Sequence, residues 1–429
     1  MILFLYIFIL AFGGAIFYNR GERRLELFLL AVIFIPDIPY PTSGVSSHRF
    51  FILAFWASVV YYHEIGKIKR NALLLFLVFI LLSYYLTGIN DNRLTSFSKF
   101  WKPSIHFITE YAMFLLGALT LFTKKKWIRF RVFIINVSLV VCGYGLLTAM
   151  LGADPYSQGI ASVLADKAGC DFTPLGVGRH RICSFLYNSH LFGYFCTLMT
   201  ILLTYFHLKA HFSTKERICF FLVICGLFLS GSRSSLIAAL MGIVVIFLFG
   251  GRINTMTRYA LIFMLALFPI SQLPFVQKSV ESVSVILSDD DSKQMGSSIN
   301  MRQNQLMISM LYFSNNPVLG NGIDYYAEVV KPDDMVIKRL GLYGAESYVF
   351  ILLIERGIIQ IVAIILFCIA IIIHYYRNLR ACRLESAVGM AIFLSFVLIS
   401  ITTGNSGKWE FALPLVGLFY NYKCNLIKH

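Results

Sequence analysis

Acidic residues are scarce in this chain: 22 Asp and Glu stand against 37 Lys and Arg in 429 residues, and charged side chains together make up 14%. A soluble domain carries about 25% charge, so a deficit on this scale excludes an ordinary water-facing surface. Soluble-enzyme signatures are missing too. No GK[ST] phosphate loop occurs, and the Gly320-Asn321-Gly322 pair lacks both a third glycine and a preceding strand. No cysteines stand in pairs at zinc-ligand spacing. Segments of about ten alternating residues are absent, which argues against a membrane barrel. There is no low-complexity tract, and no internal repeat of the kind that marks transporters with inverted halves.

What the chain does have is apolar sequence: 58% hydrophobic residues and a mean hydropathy of +0.73. Stretches of about 20 apolar residues, the length of one span, recur from end to end and leave no room for a large soluble domain. The expected fold is an all-α, polytopic helical membrane protein forming a single domain over 1–429. The net charge of +15 is informative through its distribution, which implies membrane topology and no nucleic-acid partner. Lysines and arginines cluster in alternate connections: Arg20 to Arg24, Lys67 to Arg70, Lys124 to Arg131, Lys209 to Arg217, Arg252 to Arg258, Arg377 to Arg383, and Lys423 to Lys428. Read by the positive-inside rule these are cytoplasmic, which gives about thirteen spans, with the N-terminus outside and the C-terminus inside. Met1 to Tyr18 has no basic residue ahead of its apolar run, so it reads as a retained first helix.

Within this pattern, "FLSGSRSSLI" puts Arg233 in apolar sequence running from Ile218 to Gly250. As one helix that run would extend about 50 Å, too long for a hydrocarbon core of about 30 Å. Both flanks are basic, so the chain must cross, turn near Ser230 to Ser235, and return. Arg233 then lies at the outer face among hydroxyls of Ser232 and Ser234, a combination suited to an anion. Two outer loops stand out by length. The first, 152–183, ends with Arg179, His180 and Arg181 at the mouth of the next helix, and its Cys170 and Cys183 face an oxidising compartment, so a disulfide is expected. The second, 273–345, carries the acidic run Asp289 to Asp291, read as a solvated loop rather than a metal site, and then an amphipathic helix. In that helix Leu306, Met310 and Phe313 form an apolar stripe, and Arg302, Gln305 and Ser309 a polar one. The next span opens with Glu346 at its outer end, with no neighbouring cation, and carries Glu355 deeper, beside Arg356. Carboxylates at membrane depth are costly and mark function by default.

Four local patterns, in this order and topology, resemble the superfamily of O-antigen polymerases and O-antigen ligases: "RICSFLYNSHLFGYF", "LSGSRSSLIAAL", "INMRQNQLMISMLYFSNNPVLGNGIDYY" and "AESYVFILLIERGII". Together they cover about residues 180–375; the N-terminal third is matched by hydropathy alone. The resemblance implies an inverting, metal-independent class C glycosyltransferase of a bacterial inner membrane, acting at the periplasmic face in lipopolysaccharide biosynthesis. Its donor would be an undecaprenyl-diphosphate-linked oligosaccharide, and a chain-length regulator protein is a candidate partner. Carried over by position, Arg233 and Arg302 hold the donor diphosphate and face one outer cavity, with Arg179, Arg181, Ser232, Ser234 and Tyr325 as substrate-binding residues. Ligases of the superfamily carry histidine where this chain has Glu346, a departure that favours a polymerase and makes Glu346 the candidate base. No cofactor is expected. The alternatives are a ligase transferring glycan to lipid A core and a flippase for lipid-linked oligosaccharides; charges near the midplane and internal repeats would favour the latter.

Overall fold

A computed structural model describes residues 2–37, 46–64, 72–120, 123–164, 174–175, 179–186, 188–210, 212–251, 296–331, 347–403 and 409–421. Its helices are α1 (Ile2–Tyr18), α2 (Gly21–Phe34), α3 (Ser47–Tyr61), α4 (Ala72–Asn90), α5 (Ser96–Thr109), α6 (Met113–Ala118), α7 (Lys124–Leu151), α8 (Pro155–Leu164), α9 (Ser189–Lys209), α10 (Thr214–Leu229) and α11 (Arg233–Phe249). They continue as α12 (Gly296–Asn315), α13 (Tyr348–Glu355), α14 (Gly357–Asn378), α15 (Arg383–Thr402) and α16 (Trp409–Tyr420). The only strands among the described residues are β1 (Pro174–Leu175) and β2 (Arg179–His180), an antiparallel ribbon in the first long loop. Leu73–Asn90, α7, α9, α14 and α15 are each long and apolar enough to cross a membrane alone. The fold is a polytopic helical membrane protein, as the composition requires.

Ion pairs bind the basic clusters to one another, and this makes the alternation of the chain visible. Lys126 pairs with Glu22 at 2.7 Å, Arg129 with Glu26 at 3.3 Å, Arg131 with Glu216 at 2.6 Å and Lys209 with Glu385 at 2.5 Å. Arg24, fully buried, bonds Glu64 and Ser58. The starts of α2, α7, α10 and α15 and the ends of α3 and α9 therefore meet at one end of the bundle. Caps sharpen those ends: Ser213 and Glu216 form a capping box on α10, and the Thr123 hydroxyl accepts from Lys126 at the start of α7. The span expected between 252 and 295 lies outside the described residues.

α9 is the central helix, its side chains buried almost throughout. Thr197, Thr200 and Thr204 bond carbonyls four residues back, which satisfies their hydroxyls within the apolar interior. α6 and α16 approach backbone to backbone through Gly117 and Gly417. A Cβ added at Gly117 would fall 1.7 Å from the Pro414 carbonyl oxygen, and one at Gly417 would fall 1.9 Å from that of Phe114. Glycine at a helix crossing gains dispersion that hydrocarbon solvent does not oppose.

Two traverses are broken. α5 and α6 are separated at Glu110 to Ala112, and α13 and α14 at Arg356–Gly357, where Gly357 has φ +66. The turn after α12 docks on the second break. Ile358 N–H donates to Pro317 O at 2.8 Å, and Gly322 N–H to Glu355 O at 3.1 Å. Asn321 Nδ2 reaches the carbonyls of Tyr312 and Ile354 at 2.8 and 2.7 Å, and Asn90 Nδ2 reaches that of Gly320 at 3.2 Å. A Cβ on Gly320, whose φ is +81, would lie 2.2 Å from Glu355 O, so only glycine fits.

On α12, Gln305 and Ser309 of the expected polar stripe turn inward, while Arg302 stays exposed. Gln305 and Ser309 are buried with Ile308, while Leu306, Met307, Met310 and Leu311 are 45 to 63% exposed. An outward apolar stripe of this kind suits a helix lying in a membrane interface.

Two outcomes follow from this packing. Gly417→Ala should lower stability by about 1–3 kcal/mol through overpacking, whereas Gly143→Ala, with nothing within 4 Å of the new Cβ, should not; thermal unfolding in detergent compares them. A tryptophan at Met307→Trp should be quenched by lipids brominated near the headgroup and not by those brominated at the chain end, and no quenching by either places α12 away from the bilayer.

Candidate active site

The hairpin between α10 and α11 begins with Ser230, whose hydroxyl donates to Leu227 O at 2.7 Å and accepts from Ser232 N–H at 3.2 Å. Gly231, at φ +62, turns the chain. The serines seat on α9 because residue 193 is glycine: a Cβ there would lie 2.7 Å from Ser230 Oγ and 2.8 Å from Ser235 Oγ. Thr197 Oγ1 secures the returning helix by donating to Ser235 O at 2.8 Å. Arg233 is therefore the first residue of α11, exposed at the tip, and makes no hydrogen bond or ion pair with any described residue. The apolar run is interrupted because the chain turns back there.

A second arginine joins this turn through a residue the sequence did not single out. Arg181 Nη1 lies 3.3 Å from His190 Nε2, and His190 Nδ1 lies 3.3 Å from Ser232 Oγ. A guanidinium has no acceptor, so Nε2 must accept and the imidazole proton sits on Nδ1, donating to Ser232. Ser232 Oγ in turn contacts Ser235 Oγ at 2.8 Å and Ser234 Oγ at 3.2 Å. Asn188 caps α9 by accepting from His190 N–H at 2.8 Å, which sets the imidazole at the helix mouth. Ile182 N–H donates to Leu229 O at 3.2 Å and holds the Arg181 segment against the end of α10. Arg181, His190, Ser232, Ser234 and Arg233 thus share one rim.

Arg179 pairs with Leu175 in the β-ribbon, two residues before this rim. Cys183 is disulfide-bonded; Cys170, its expected partner, lies outside the described residues. Cys382, beside the basic cluster of Arg377 to Arg383, is disulfide-bonded as well, so bonding state alone does not tell the two ends apart.

The Arg302 half of the expected site stands on other supports. Arg302 is exposed on α12, which packs on α13. Tyr325 follows in the connecting turn, with its ring edge-on to Tyr312 at 5.9 Å and the Arg93 guanidinium 4.8 Å above it. Arg233 and Arg302 stand on different elements, the α10–α11 turn and α12. Glu346 lies outside the described residues, as do Asp289 to Asp291.

Behind Tyr325 is a network that sequence reading missed. Asp324 bonds Lys102 Nζ at 3.0 Å and His106 Nε2 at 3.2 Å, and His106 Nδ1 bonds Glu110 Oε1 at 3.2 Å. Glu110 also accepts from Tyr84 at 2.5 Å and Tyr348 at 3.3 Å. Arg356 lies 4.6 Å from the Tyr84 ring, with its Nε 3.3 Å from Glu355. His106 and Glu110 are four apart on α5, a spacing open to inspection, but Asp324 is 218 residues further on. Burial alone would push the Asp324 carboxyl up; the hydrogen bond from His106 and the charges of His106, Lys102 and Arg356 outweigh it and hold the group well below the usual carboxylate range.

Residues 218–365 match the O-Antigen ligase family model. The matched stretch contains Arg233, Arg302, Tyr325, Glu346 and the break at Arg356; Arg179, Arg181 and His190 precede it. No curated protein matches the chain. The match falls within residues 180–375, over which the resemblance was read, and agrees with it.

Because Asp324 has a lower pKa folded than unfolded, its contribution is complete above the ordinary carboxylate value of about 3.9 and is lost as pH falls through the folded value. Asp324→Asn should therefore cost about 1–3 kcal/mol at pH 7, and its deficit against the native chain should close as pH drops below about 4. Unfolding midpoints measured across pH test this; a deficit that stays constant with pH contradicts it.

Proposed function

We propose that the chain is a polysaccharide polymerase that joins undecaprenyl-diphosphate-linked oligosaccharide repeat units at the periplasmic face of a bacterial inner membrane. The observation that carries the reading is the rim at the α10–α11 turn. Arg233, exposed and without a partner among the described residues, stands beside serine hydroxyls that Arg181 and His190 hold in place, within the family-matched stretch. A lipid diphosphate brings its negative charge to this depth, and a guanidinium forks onto two phosphate oxygens. The second guanidinium in this reading is Arg302, exposed on α12.

In the proposed step the acceptor hydroxyl oxygen attacks the anomeric carbon of the donor from the face opposite the diphosphate. The bond from that carbon to the diphosphate oxygen breaks, and its electron pair leaves with undecaprenyl diphosphate. The configuration inverts, and the hydroxyl proton passes to Glu346. Negative charge on the diphosphate grows as the bond lengthens, so fixed arginines stabilise the transition state more than the bound donor. The guanidiniums supply the charge that a divalent metal supplies elsewhere.

The matched family's description favours a second reading, transfer of the glycan to lipid A core by a ligase. Glu346, where ligases of the superfamily carry histidine, supports the polymerase. Purified enzyme given lipid-linked repeat units together with lipid A core separates them: a ladder of lengthened lipid-linked glycan supports the polymerase, and glycan attached to core supports the ligase.

In that assay Arg233→Ala and Arg302→Ala should each cut turnover by about 10²- to 10³-fold, and Lys at either position should not restore it. Glu346→Gln should cut turnover by about 10²- to 10⁴-fold with little change in donor affinity. Undiminished polymer from both alanine variants removes the donor-site assignment; undiminished turnover in Glu346→Gln removes the base.

A further inference from the structure

His106 lies on α5, 6% exposed, with a carboxylate on each ring nitrogen: Glu110 at Nδ1 and Asp324 at Nε2, both at 3.2 Å. A neutral imidazole has one N–H and could serve only one of them. Ionised carboxylates only accept, so both nitrogens donate and His106 is an imidazolium. Its two anchors belong to different bodies. Glu110 closes α5 and is tied to α4 and α13 through the hydroxyls of Tyr84 and Tyr348. Asp324 lies in the turn behind α12.

That turn is what holds α12 in place. Asn321 bonds the Tyr312 carbonyl, the Tyr325 ring packs on Tyr312, and Tyr326 N–H donates to Glu355 at 3.1 Å. Val330 closes a small apolar cluster with Ile308 of α12 and Ile354 of α13. The turn also reaches α5 through Glu328, paired with Lys102 at 2.8 Å and Arg93 at 3.1 Å. The Glu328 side chain is half exposed, and such pairs contribute little. The His106 bond, made by a buried imidazole, is the stronger tie. Asp324 itself has φ +59, a left-handed conformation costly for a residue with a Cβ; its side-chain bonds to His106 and Lys102 hold the backbone there.

We propose that His106 is a positioning residue: clasped between Glu110 and Asp324, it fixes the height and angle of α12 over the bundle and so places Arg302 for the lipid diphosphate. This rests on reading Arg302 as a donor ligand. A displacement of about 1 Å at a reacting group costs on the order of 10²-fold, so a loosened clasp should act through Arg302 alone.

The test is a cycle of His106→Gln and Asp324→Asn, single and combined, in the native chain and in Arg302→Lys, read as kcat and donor KM in the elongation assay. Each single variant should raise donor KM by about 10- to 100-fold, the double should be no worse than either, and neither should raise KM further on Arg302→Lys. Asp324→Glu should recover part of the loss. A lesion that only reduces the folded fraction lowers apparent kcat and leaves KM as it was, so unchanged KM overturns the proposal, as do losses that multiply on Arg302→Lys. If Arg302→Lys itself behaves as the native enzyme, the donor-ligand reading fails, and a second measurement still decides the clasp. Nitroxide labels replacing exposed Phe97 on α5 and Met307 on α12 should give one narrow distance that broadens in His106→Gln, and in the near-isosteric Asp324→Asn if the glutamine variant does not fold. A distribution unchanged in both overturns the clasp.

Discussion

The break between α13 and α14 is the constraint on which the packing of α12 and its following turn depends. Interrupting a helix frees carbonyls and amides that need other partners once they are buried. Here they are met by the turn 316–322: Pro317 O and Gly322 N–H pair with Ile358 and Glu355, and Thr87 and Asn90 of α4 close the remaining side. Satisfying the break therefore docks the loop after α12, and docking the loop brings Asp324 to His106. The left-handed glycines at 320, 322 and 357 are the local condition for this. At Gly320 the carbonyl of Glu355 occupies the space of a side chain, and at Gly322 the Asp91 carboxylate does so at 2.1 Å.

The two arginines of the proposed site are mounted on different elements. Arg233 rides on a hairpin clamped to α9 by close serine and threonine contacts at Gly193. Arg302 rides on a surface helix held by a turn, which is held in turn by buried charge. The first support is short and rigid. The second is longer and passes through ionisable groups, so variants far from Arg302, in α5 or at the α13–α14 break, are the ones expected to alter donor affinity without touching the donor.

Apolar periodicity and the alternation of basic clusters were enough to read the bundle, because in hydrocarbon the backbone must close its own hydrogen bonds and spans become a matter of length and charge. The Arg233 turn was legible for the same reason, since a run of that length cannot cross once. Amphipathicity of α12 was legible, but its orientation was not: which stripe faces inward depends on whether the helix meets water, protein or lipid. The 3.6-residue period is the same in all three cases.

By itself the sequence determined the class of fold, the alternation of the connections, the turn at Arg233 and the resemblance carried by residues 180–375. Those follow from short-range rules of span length, charge and local motif. Only the tertiary structure decided that His190 joins Arg181 to the serine turn, that α12 buries Gln305 and Ser309, and that His106 meets Asp324. Each of these pairs side chains across elements whose separation in the chain carries no signal, and in a medium of low dielectric an unpaired charge is costly enough that such partners, once folded together, dictate the local geometry.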